Sequence, residues 1–137
     1  MRGLTLYVRL IGAGELLTGV LLLWVPSFTL QLMGIAEVPG ELIYMRFVGA
    51  FVGGIGALYL YPFLLAPARR LTRLRVVLEA TSLVRLWIGF FVASAVLGGA
   101  LSLPWISVAI FDLTIAIFQL LSPGRFFVSD AAAGSRS

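Results

Sequence analysis

The sequence predicts an all-α fold: a bundle of four transmembrane helices, antiparallel neighbour to neighbour, with both termini on the cytoplasmic side. Three observations carry that expectation. Apolar residues make up 61% of the 137 and charged residues only 12%, against about 45–50% and 25% in soluble domains. The apolar residues fall into four unbroken stretches of about 18–24 residues, the length needed to cross a ~30 Å hydrocarbon core as a helix. The arginines, finally, gather at alternate ends of those stretches. Strands are disfavoured because the runs lack inside–outside alternation, and an open strand leaves its backbone groups unpaired in lipid.

The first span covers residues 4–25. Met1 and Arg2 ahead of an apolar run look like a signal peptide. Arg9 and Glu15 interrupt the run, however, and no small-x-small cleavage site follows Trp24, so the stretch reads as a retained helix. Residues 26–41 connect it to the second span and carry Phe28, Leu30, Leu32, Met33 and Ile35, too apolar for a freely solvated loop. Either Ser27 caps a short helix that Gly34 ends, or the segment is an irregular loop packed on the bundle. The second span covers residues 42–65, the third 78–97 and the fourth 104–121. Residues 67–75 form an amphipathic lead-in to the third, with Leu71, Leu74 and Leu78 on one face. Residues 1–128 make a single membrane domain, and residues 129–137 read as a flexible cytoplasmic tail.

Orientation follows from the positive-inside rule. Arg2, the cluster Arg69, Arg70, Arg73 and Arg75, and Arg125 and Arg136 share one side, whereas the opposite connections carry Glu37 and Glu41. Trp24, Tyr44 and Trp105 then mark the outer boundary, and Tyr7, Tyr59 and Tyr61 the inner one. The four clustered arginines are what the topology requires. They also suit contact with anionic lipid, at about 1 kcal/mol each. Their short membrane-edge run does not suit nucleic acid.

Histidine and cysteine are both absent, which removes Cys/His metal sites, iron–sulfur clusters, imidazole-ligated haem and histidine acid–base chemistry. No cofactor held by such ligands, no metal and no catalytic residue is expected; a quinone or a lipid remains open. The residues that stand out are ionisable groups within the spans: Glu15, Arg46, Arg85 and Asp112. Each opposes insertion by about 2.5–3.5 kcal/mol at the bilayer centre. Helical phase places each of them on a small-residue face. Glu15 shares a stripe with Gly12 and Gly19, and Arg46 a line with Gly49, Gly53 and Gly56. Arg85 lies between Ser82 and Gly89, and Asp112 between Ala109 and Ala116, with Gln119 beyond. Small residues are where membrane helices approach closely, so all four charges are expected inside the bundle as one network. Glu79 is expected to pair apart from them, with Arg75 or Arg9. Such a network is either a clamp on helix register or an anchor for a proton, a polar headgroup or a quinone. A faint repeat also relates Arg9-Leu-Ile-Gly-Ala to Arg46-Phe-Val-Gly-Ala, a match that apolar composition alone readily produces.

The run Arg46-Phe-Val-Gly-Ala-Phe51, the Arg of Leu83-Val-Arg-Leu-Trp87 and the Asp of Ile110-Phe-Asp-Leu113 resemble the DoxX-like small bacterial membrane proteins across residues 9–121. The resemblance implies a four-helix bundle in a bacterial cytoplasmic membrane, in a family whose founding members are associated with quinol oxidases and thiosulfate oxidation. The expected function is a non-catalytic accessory subunit of a larger respiratory or photosynthetic complex, partnered by lipid and by other membrane subunits. The alternative is an independent small-molecule protein, either a quinone-linked redox component or a small transporter. That alternative requires a cavity beside the interior charges; a dry interior counts against it.

Overall fold

In the computed structural model, which describes residues 2–36 and 40–121, every regular element is helical. The elements are α1 (Arg2–Trp24), α2 (Pro26–Leu32), α3 (Leu42–Leu60), α4 (Pro67–Leu97) and α5 (Ile106–Leu121), with short 3₁₀ turns at Tyr61–Leu64 and Leu103–Trp105. Four of the helical segments are long and apolar enough to cross a membrane: Gly3–Trp24, Leu42–Leu64, Ala68–Leu97 and Leu103–Leu121. Glu37, Arg125, Arg136 and the expected tail lie outside the described residues.

The segment after α1 adopts the helical alternative, but Ser27 is not its cap. Pro26 opens α2 at its first position, where a missing N–H costs nothing, and Val25 is the N-cap without a side-chain bond. Gly34 ends the turn at φ +78°, while the Ile35 amide donates to Leu30 O at 2.8 Å, closing the orphan carbonyls. The buried side chains Thr29, Leu30 and Ile35 fold the segment back onto α1 and α3.

α4 begins eleven residues before the apolar run that marked the third span, at Pro67 rather than Leu78. Hydropathy registers only the lipid-embedded part of a helix. The arginine lead-in is continuous with it, making a rod of 31 residues, about 46 Å at 1.5 Å per residue. That exceeds the ~30 Å thickness of a hydrocarbon core. Arg75 Nε donates to Glu79 Oε1 at 2.8 Å across one turn, with both side chains half exposed. This is one of the two pairings expected for Glu79. Exposed i,i+4 pairs are worth about 0.3–0.5 kcal/mol, so Glu79→Gln should move the thermal midpoint by less than about 2 °C, measured by heating the purified protein in detergent.

Packing divides the bundle into two antiparallel hairpins, α1 with α3 and α4 with α5, with few contacts between α3 and α4. The first seam is glycine-lined. A Cβ added at Gly12 would meet Tyr59 Cβ at 2.7 Å, one at Gly49 would meet Leu22 Cβ at 2.7 Å, and one at Gly56 would meet Gly12 O at 2.8 Å. Gly19 lies against the backbone of Gly53. In the second seam Gly89 accommodates Leu113, whose Cγ would be 2.7 Å from an added Cβ. The hairpins join at the arginine-bearing end, where Leu4, Val8, Ile55 and Tyr59 pack on Leu74, Val77 and Leu78. At the α2 end a second cluster, Leu22, Leu30, Ile35 and Met45, packs beside Trp105.

Candidate functional site

Three of the four singled-out charges meet between the hairpins. Arg85, on the inward face of α4, is 3% exposed. Its Nη2 forms an ion pair with Glu15 Oε1 of α1, and its Nη1 donates to Asp112 Oδ1 of α5. Its remaining donor, Nε, reaches Tyr59 Oη of α3 at 3.2 Å. One guanidinium fork therefore ties together all four spanning helices, using the planar multi-donor geometry that lysine lacks. Phe111 flanks it, with the ring centroid 5.8 Å from Arg85 Cζ.

Arg46 is not part of this cluster. It is exposed, and it makes no ion pair among the described residues. The buried stripe of α3 centres on Met45, Gly49 and Gly56, and at 100° per residue Arg46 stands about a quarter turn from that centre. Sharing a line with glycines placed it at the stripe's edge, and the edge of this helix faces outward.

Uncharged polar groups extend the cluster in a way charge-reading did not reveal. Gln119 Nε2 donates to Tyr59 Oη at 2.6 Å and to Tyr7 Oη at 3.4 Å, while its Oε1 accepts from Ser82 Oγ at 3.0 Å and Thr81 Oγ1 at 3.4 Å. Tyr59 is wholly buried, an interior hydrogen-bonding residue rather than a marker of the membrane boundary. The signal was available: Ser82 lies one turn from Arg85 and Gln119 two turns from Asp112, each on the inward face.

Beyond the triad lies the α2 end of the bundle. A cavity of about 520 Å³ opens there between α1, α2, α3 and α5, within the ~300–1,000 Å³ of ordinary ligand pockets. Leu22, Met45, Val48, Val52, Val108 and Trp105 are among its apolar walls, and Asp112 is the one charged residue in its lining. Its three hydroxyl groups donate to their own helices: Thr18 Oγ1 to Gly14 O, Thr29 Oγ1 to Val25 O and Ser107 Oγ to Pro104 O, at 2.8–2.9 Å. Only their lone pairs remain for anything in the cavity.

At the opposite end, Arg9 and Arg70 both face Phe63, with Cζ 4.7 Å and 5.8 Å from the ring centroid. Arg69 and Arg73 are exposed on the same helix as Arg70. Among the described residues there is no group of acidic side chains able to hold a metal ion.

No family model matches the chain, and neither a curated protein nor a solved structure is significantly similar to it.

Proposed function

We propose that this chain is a small-molecule-binding protein of a bacterial cytoplasmic membrane, with both termini cytoplasmic, that lodges a lipid-soluble ligand in the cavity above the Glu15–Arg85–Asp112 triad. One observation carries the reading. A cavity of ligand size, apolar on its walls, ends on a carboxylate that belongs to a buried charge cluster. A register clamp needs the charges but not the space. The cavity therefore favours the independent small-molecule reading over the accessory-subunit one, for which the exposed apolar faces offer nothing that bulk lipid does not equally explain. Arginine placement supports the orientation, and the resemblance to DoxX-like proteins supports the bacterial setting. Arg9 and Arg70 beside Phe63, with Arg69, Arg73 and Arg75 nearby, suit the phosphates of anionic lipid at the cytoplasmic face.

The test uses the full chain in phosphatidylcholine nanodiscs. Trp24 and Trp87 are both exposed; changed to Phe, they leave Trp105, at the cavity wall, as the sole tryptophan. A brominated amphiphile of undecyl length should quench it saturably, and Val52→Trp, which fills the cavity, should remove the binding with helix content unchanged. Because that change adds a second indole, its binding is read by equilibrium dialysis. Quenching that only rises linearly with probe in the bilayer would overturn the reading. Comigration with a large stoichiometric complex on a native gel of source membranes would restore the accessory role.

A further inference from the structure

The triad is not charge-balanced. Two carboxylates, Glu15 and Asp112, share the single guanidinium of Arg85, and the other arginines within the first two spans, Arg9 and Arg46, are exposed and outside the cluster. The groups facing the cluster from every helix packed on it are Glu15 and Tyr7 of α1, Tyr59 of α3, Arg85 of α4 and Asp112 of α5. With both acids ionised and the tyrosines neutral, the site holds one surplus negative charge. A medium of low dielectric does not tolerate an uncompensated charge, so the surplus must be answered by a proton or by a cation.

The cavity shows where a cation would come from. Asp112 Oδ1 accepts from Arg85, which leaves Oδ2 for the cavity side. The hydroxyls of Thr18, Thr29 and Ser107 have turned their hydrogens to backbone carbonyls, so they too present only acceptors. Trp105 and Phe111 add aromatic surface to the lining, Phe111 being next to Asp112 in the chain, and such surface attracts a cation through the ring quadrupole. Acceptors and aromatic faces in the lining, a surplus negative charge at Asp112 and apolar walls elsewhere are complementary to an alkylammonium.

Resting on the cavity reading above, we propose that the ligand is a lipophilic organic cation, an ammonium carried on an apolar body, and that its binding displaces one proton from the Glu15–Asp112 pair. No bond to carbon forms or breaks. The ammonium takes the place of the proton, which leaves to water, so site charge is conserved. A site working this way binds its ligand more tightly as pH rises, because fewer protons compete. With one proton displaced, the apparent dissociation constant falls about tenfold per pH unit while the site is protonated.

The experiment compares ω-bromoundecylammonium with ω-bromoundecanol, equal in length and differing in charge, on the single-tryptophan protein in phosphatidylcholine nanodiscs. The amine stays charged across the range used, far below the ~10.4 of a lysine-like ammonium. The ammonium should quench Trp105 saturably and at least tenfold more tightly than the alcohol, with affinity rising between about pH 5 and pH 8. Asp112→Asn, confirmed folded by its helix content, should abolish both the preference and the pH dependence. If the two probes bind equally and without pH dependence, the cation assignment fails while the cavity reading stands. If neither saturates, the cavity holds only bulk acyl chains and both fail. The pH titration of unsubstituted Asp112 decides the matter even where the variant does not fold.

Discussion

Arg85→Gln is expected to be the most damaging single substitution in the chain. It removes the group that joins all four spanning helices and leaves Glu15 and Asp112 buried without their cation. Breaking one side of a buried ion pair costs about 3–5 kcal/mol, a large share of the ~5–15 kcal/mol that holds a typical fold together. Tyr59 also loses the donor that Arg85 Nε supplies. Thermal unfolding in detergent, followed by helix content and yield, should show a collapse in stability. Arg85→Lys should recover part of it, since an ammonium restores the charge but not three diverging bonds. Adding Glu15→Gln and Asp112→Asn to Arg85→Gln should recover more than their separate effects predict, because the loss comes from unanswered charge. Strict additivity would show that packing, and not charge, is what Arg85 supplies.

The second large effect is expected at Gly19. A Cβ there would run into the backbone of Gly53 and the carbonyl oxygen of Gly49, and a helix axis cannot rotate away as a side chain can. Gly19→Ala should cost about 1–3 kcal/mol, the usual penalty of overpacking, and Gly19→Leu should part α1 from α3 altogether. Two controls keep the test honest to its cause. A Cβ at Gly53 would meet Gly19 Cα at 3.6 Å, and at Gly54 it would meet nothing within 4 Å. Gly53→Ala should be tolerated, and Gly54→Ala should gain a few tenths of a kcal/mol through helix propensity. Equal losses at positions 19 and 54 would mean that backbone flexibility, not close approach, explains the glycines.

These two sites show what was legible in the sequence and what was not. The spans were readable because lipid exposure leaves long apolar runs, and the seam glycines because helical phase aligns them with Glu15, Arg46 and Arg85. The same phase rule misplaced Arg46: it fixes an angle on a helix but not which neighbour lies in that direction, and Arg46 stands exposed at the edge of the α3 stripe. Tyr59, read as a boundary marker, and Gln119, noted only on the Asp112 stripe, were not placed in the network because an uncharged polar side chain carries no insertion cost large enough to single it out. The early start of α4 was legible as the amphipathic lead-in over residues 67–75, although its arginine turns lie beyond the apolar run that marks the span. The cavity was out of reach for a different reason. Its lining comes from α1, α2, α3 and α5 together, a relation between elements far apart in the chain that no local pattern encodes.

The division into hairpins also constrains how the protein is made. α1 and α3 are synthesised first and close on each other through their glycines, so the first hairpin enters the bilayer with Glu15 while its guanidinium partner is still unmade. An acid can make that entry as the neutral carboxylic form, which an arginine cannot do. The second hairpin brings Arg85 and Asp112 together, already paired across its own seam, and so inserts as a neutral unit. Each half can thereby leave the translocation machinery with no unanswered charge among the three residues of the cluster. The three-way ion cluster forms only when the halves dock, as the last event of assembly rather than a condition for beginning it.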